Sequence, residues 1–136
     1  MTEKPLFHVA CGIIWQGETF LAAERPKGEP RGGYWEFPGG KREPGETIRE
    51  TLVRELREEL GIECLEIEDY CSLKHRYRDI AVTLHFMHVV RFAGQPAPIL
   101  GQTLRWVTVE EARALRFLPA DLQILEGLAP PGTDQR

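Results

Sequence analysis

Glu55, Glu58 and Glu59 stand at positions i, i+3 and i+4, the spacing that stacks side chains on one stripe of an α-helix turning about 100° per residue. Leu52, Leu56 and Leu60, bordered by Ile48 and Val53, form a neighbouring stripe that reads as the buried face. Because the acidic stripe flanks the apolar one, its carboxylates point toward the seam between the helix and the segment packed beside it. Like charges at this spacing each oppose a helix by about a few tenths of a kcal/mol when exposed, and by more when partly desolvated, unless a cation compensates. A hard divalent cation does this: magnesium prefers oxygen ligands, keeps waters, and is held by a few carboxylates together with substrate phosphates. The cluster points to a metal site with a polyphosphate partner. A second reading makes the same helix a solvated charged surface, since Glu50–Arg54 and Arg54–Glu58 are ordinary i, i+4 ion pairs.

The elements around these residues are legible. Thr47 and Glu50 have capping-box spacing and Gly61 can supply a left-handed stop, so the helix is predicted over Thr47 to Leu60. Upstream, Pro26 to Gly45 is dense in proline and glycine, too dense for a helix interior and suited to a long shaped loop, with YWEFP as a short strand inside it. That loop ends in PGGKREPGE: Gly39 and Gly40 let backbone approach a ligand, Lys41 is available to a phosphate, and Glu46 adds an acid where the helix starts. Before the loop, Leu6–Trp15 and Thr19–Arg25 flank Gln16-Gly17-Glu18 and predict a hairpin. After the helix, strands are expected around Ile67–Tyr77, Ile80–Phe92 and Leu104–Val107. Short helices follow at Glu110–Leu115 and Ala120–Leu128, and then a loose tail from Pro130. This mixture predicts an α/β (α+β) fold, a sheet covered by helices.

At 136 residues the chain suits one domain, with a core from about residue 6 to 128. Its net charge of −4 argues against broad attachment to nucleic acid or an anionic membrane, and favours a small, mobile substrate. Cys11, Cys64 and Cys71 form no CxxC pair, which fits reduced thiols. With no bilayer-length apolar run and no secretion-signal pattern, a cytoplasmic protein is expected, monomer or homodimer. His8, His75, His85 and His88 lack helical metal spacing, and His85 and His88 fall on opposite faces of a strand, so core or surface roles are expected.

Gly40, five residues, Glu46, seven residues, then RELREELGI from Arg54 to Ile62 together resemble the Nudix box at every defining position. The similarity runs on through VACGIIW, the arginine of AAERP, YWEFPGGK, the Tyr77 to Leu84 stretch, GQTLRWV and FLPADLQIL, and is nearest to the MutT-like branch. The resemblance implies an α/β/α sandwich with a mixed β-sheet that binds Mg2+ or Mn2+. It implies metal ligation at Gly39, Glu55, Glu58 and Glu59, with Glu55 a candidate base that activates water and Glu58 part of the catalytic set. Arg54 is implied to orient Glu55, and Glu46 is a supporting acid. Arg25 and Lys41 are implied at the phosphates, and Phe37, Tyr77, Asp79, Ile80 and Asp121 around the nucleoside. For Phe37 and Tyr77 the alternative is core packing, and for Asp121 it is capping of the last helix.

The implied activity is cleavage of a nucleoside triphosphate to the monophosphate and pyrophosphate, as in 8-oxo-dGTP diphosphatases that sanitise the nucleotide pool. Hydrolysis of CTP, dCTP or 5-methyl-dCTP is the alternative, and a nucleotide-sensing module without catalysis is the alternative of another class. Two departures from the family pattern bear on this. Leu100 stands where relatives often carry a further metal-binding glutamate, which opens the metal count and the identity of the base. Asp121 stands where the oxidised-guanine enzyme usually has asparagine; an ionised aspartate only accepts, and so favours a base edge that presents N–H groups.

Overall fold

The computed structural model describes residues 6–132. Its strands are β1 (Leu6–Gln16), β2 (Thr19–Glu24), β3 (Trp35–Glu36), β4 (Gly39–Lys41), β5 (Glu63–Arg76), β6 (Ala81–Ala93) and β7 (Thr103–Val107). Its helices are α1 (Ile48–Leu60), α2 (Val109–Arg113) and α3 (Pro119–Leu125). The strand path is β3-β2-β1-β6-β5, with β4 added on β1 and β7 on β2. β1 and β6 run parallel while the other pairings are antiparallel, so the sheet is mixed.

β1 is almost wholly buried through its centre because both its faces are covered. On one face Ala10, Ile14, Leu21, Met87 and Val89 pack against Leu52, Leu56 and Leu60 of α1. On the other, Cys11, Ile13, Trp15, Phe20 and Phe86 pack with Phe117, Ile124 and Leu125 beneath α2 and α3. Helix, sheet and helices thus form three layers. Each leucine of the α1 stripe is fully buried, a contribution of roughly 2 kcal/mol apiece.

The predicted limits of α1 are observed. Thr47 caps it with both capping-box bonds formed, and Gly61 ends it at φ 72°, a left-handed conformation in which a Cβ is unfavourable. The first hairpin closes on Gly17 and Glu18, with Gln16 opposite Thr19. Three expectations shift. β5 begins at Glu63, four residues early, and carries register irregularities through Asp69 and Cys71 that blur its alternation. β4 lies inside the expected loop, paired with Val9–Cys11. α2 and α3 are shorter than expected; α2 begins on an unanticipated capping box between Thr108 and Glu111. Residues 133–136 of the expected loose tail lie outside the described residues. Among those described, no helix is long and apolar enough to cross a membrane.

Candidate active site

β4 brings Gly39 and Gly40 against the acidic stripe of α1. Any Cβ at Gly40 would overlap the Glu55 carboxylate, and one at Gly39 would run into the Ala10 carbonyl. Glycine here is a requirement of close approach between strand and helix. Under this seam Glu59 is largely buried and hydrogen-bonded to Glu55 and to the Gly39 backbone. Burial, then the Glu55 charge, push its pKa up to about 8. Its Oε2 is buried with no partner, the kind of atom that native structures satisfy with water or an ion.

Arg54 holds the rest of the cluster. Its Nε donates to Glu46 Oε2 at 2.6 Å, and its Nη1 to Glu55 Oε1 at 2.9 Å and Glu58 Oε1 at 3.1 Å. Nη2 donates to the Lys41 carbonyl at 3.1 Å. Glu46 also accepts from the Thr51 hydroxyl and the Glu43 N–H; the Arg54 bond foremost lowers its pKa to about 2. The expected pair Glu50–Arg54 does not form, because Glu50 turns back to cap Thr47. Glu58 is the most solvent-facing of the three acids, its side chain 58% exposed against 18% for Glu55. Among the described residues no three acidic, imidazole or thiol side chains form a ready-made metal cluster; Glu55 and Glu58 share Arg54 Nη1, and Glu59 lies on the inner side of Glu55.

Glu59, Gly39 and Gly40 open into a cavity of about 380 Å3 floored by Ala23, Val9, Val82 and Leu84, a size that suits a small organic ligand. Arg25, Lys41 and Tyr77 also line it, as do Leu100 and Gln102. Leu100 is 61% exposed at its edge. Lys41 Nζ sits 4.2 Å from the centre of the Phe7 ring. Arg25 Nη1 donates to both oxygens of Glu36 at 3.2 Å. Glu36, which the sequence reading passed over, faces the same cavity; burial raises its pKa against the opposing pull of Arg25. The available signal was an acid set between two aromatics in YWEFP. Glu29, Arg31 and Leu118 were also missed, and no sequence pattern marked them.

The expected nucleoside residues divide. The Phe37 ring belongs to the core, against Phe20, Phe86 and Phe117, so packing claims its side chain and its backbone is what remains for a ligand. Its N–H donates to Asp121 Oδ2 at 3.3 Å. Asp121 is only 5% exposed and does not cap α3, whose N-cap is Leu118. Burial foremost raises its pKa to about 7, and in the structure its Oδ2 acts as an acceptor. Ile80 packs against the core and Asp79 lies exposed on the β5–β6 turn; of the five expected nucleoside residues Tyr77 alone lines the cavity, and Phe37 and Asp121 lie behind its wall. His8 and His85 pair at 3.0 Å on the α1 face, while His88 accepts from Trp15 on the other, away from the acids.

Crowded carboxylates thus border a cavity lined by Arg25 and Lys41, and comparison with known proteins gives the class. The NUDIX domain family model matches residues 9–127, and the chain belongs to that family. It is 40% identical over 121 residues to the CTP pyrophosphohydrolase of Escherichia coli, covering 89% of this chain and 90% of that one. It is 38% identical to the 8-oxo-dGTP diphosphatase of the same species, covering 88% and 94%. The solution structure of the E. coli ORF135 protein superposes with a TM-score of 0.81 at 40% identity, covering 90% of this chain and 88% of that one.

Proposed function

We propose that this protein is a divalent-metal-dependent pyrophosphohydrolase that converts a nucleoside triphosphate to the monophosphate and pyrophosphate. The observation that carries this reading is the half-buried Glu55–Glu59 pair, with one Glu59 oxygen unpartnered, opening into a cavity lined by Arg25 and Lys41. Two crowded carboxylates fit a hard cation by charge and by donor type. Glu55, Glu59 and the Gly39 backbone, with Glu58 beside them, would hold Mg2+ or Mn2+. Bound there, the metal supplies charge neutralisation on the phosphates and acidifies a water.

The chain's own residues do the remainder. Arg54 fixes the Glu55 carboxylate in an orientation suited to take a proton from the attacking water, and Glu46 anchors Arg54 from behind. Arg25 and Lys41 offset the charge of the polyphosphate, so that a nucleophile can approach in line. Glu55→Gln keeps the shape of the side chain and removes the base; turnover falls by at least about 100-fold while the melting temperature stays near that of the wild type. Undiminished turnover would take Glu55 out of the mechanism.

The base we propose is 8-oxoguanine, whose N7 carries a proton that Asp121 would accept, where guanine has a lone pair. The second reading, CTP and related cytosine nucleotides, is favoured by the same acceptor, since cytosine presents an amino group. Release of pyrophosphate from 8-oxo-dGTP, dGTP, CTP, dCTP, 5-methyl-dCTP and ADP-ribose, ranked by kcat/KM, decides between them. Activity with Mg2+ and none with EDTA is expected; nucleotide binding without cleavage would instead make the protein a sensor.

A further inference from the structure

Arg31 is the one non-glycine residue with positive φ among those described, at 60°. L-residues with a long side chain avoid this conformation, and such outliers persist where the surroundings impose them and the side chain is used. The surroundings here are explicit. Gly32 N–H donates to the Glu29 carbonyl at 2.8 Å, Gly33 N–H to Arg25 at 2.9 Å, and Tyr34 N–H to Arg31 at 3.2 Å. Arg25 Nε adds a bond to the Pro30 carbonyl at 3.0 Å. A Cβ at Gly32 would sit 2.7 Å from the Pro26 carbonyl, so the coil leaves little freedom.

Thus fixed, Arg31 reaches across to the β5–β6 turn, where its guanidinium lies 4.6 Å from the centre of the Tyr77 ring. The turn is itself closed by Tyr77 N–H donating to Ile80. The two segments arise from β2 and β6, on opposite sides of β1 in the sheet, and both residues line the cavity floored by those strands. Their contact therefore spans the floor. A flat guanidinium on an aromatic face is a stacking contact as well as an electrostatic one.

We propose that Arg31 is a positioning residue: stacked on Tyr77, it ties the β2–β3 loop to the β5–β6 turn and holds them as a preformed wall of the cavity. The proposal rests on the nucleotide reading above. A wall already ordered spares the ligand the entropy of ordering it, so the loss falls on KM and leaves the chemistry at Glu55 and Glu59 in place.

The test uses Arg31→Gln, which keeps the backbone strain and removes the cation, together with Tyr77→Leu, the double variant, and Tyr77→Phe, which keeps the ring. In the free protein, amide hydrogen exchange over residues 27–33 is expected to quicken in Arg31→Gln and in Tyr77→Leu, and to stay slow in Tyr77→Phe. With the best nucleotide of the panel, Arg31→Gln raises KM about fivefold, the scale of one cation–π contact, with the change confined to KM. In the Tyr77→Leu background the further loss of Arg31 adds nothing. Unchanged exchange overturns the clamp. Faster exchange with unchanged KM, or effects of the two residues that simply multiply, overturns its use in the site. If the wild type cleaves no nucleotide of the panel while exchange responds as described, it is the proposed function that fails, and the wall has no nucleotide to serve.

Discussion

Asp121 shows how far one residue's surroundings change its chemistry. On sequence alone it is an acid in the first turn of a short helix, where exposure would leave it ionised. Burial instead raises its pKa to about 7 against the lowering pull of the Phe37 N–H, so the folded state favours the protonated form relative to the unfolded one. The contribution to stability is then present at pH below the ordinary aspartate value and is lost as pH rises through about 7. Asp121→Asn has nearly the same shape, keeps an acceptor for the Phe37 N–H, and never ionises. Urea melts from pH 4 to 8.5 are expected to show the variant gaining on the wild type as pH rises, with the gain levelling off above about 7. A difference independent of pH would mean that Asp121 stays ionised throughout.

At the scale of elements, the site is a seam between β4 and α1. Neither forms it alone: α1 presents the acids, and β4 approaches closely enough to confine them because Gly40 has no side chain. Gly40→Ala puts a methyl group where the Glu55 carboxylate lies. Since Glu55 is only partly buried, it can swing aside, and the fold survives. A displacement on the order of 1 Å costs about 100-fold in rate, so kcat is expected to fall by that scale while the melting temperature stays close to the wild type. A normal kcat would show that the contact at Gly40 is not what holds Glu55 in place.

At the scale of the whole molecule, the crowded Glu55–Glu59 pair opposes folding, and the cation proposed for it would relieve that cost. Glu59, raised to about 8 mainly by burial and then by Glu55, adds stability at lower pH and loses it as pH climbs through that value. At pH 8.5 in EDTA, Glu59→Gln is therefore expected to melt above the wild type. If Mg2+ binds the native state alone, as proposed, a saturating concentration is expected to raise the wild-type melting temperature by about 5 °C or more, and that of the variant much less. An equal response to Mg2+ in both proteins would place the metal elsewhere. Stability held in reserve for a ligand is a common cost of a functional site.

Much of this was readable in order along the chain. Periodicity separated the leucine stripe from the glutamate stripe, Thr47 and Gly61 set the ends of α1, and the run from Gly40 to Ile62 carried the family, because each depends on residues near one another in sequence. Three-dimensional contact decided the rest. β4 is a Gly-Gly segment with no strand preference, and exists because β1 offers it a ladder. Phe37 was taken into the core by aromatic neighbours that come from Phe20, Phe86 and Phe117. Glu36 acquired its partner Arg25 across the β2–β3 loop, and Arg31 its partner Tyr77 on the β5–β6 turn. The raised pKa of Asp121 depends on burial, a property that residue type and spacing do not contain. Local pattern thus determined which chemistry this protein carries, and packing between distant segments decided which side chains remain free to recognise its substrate.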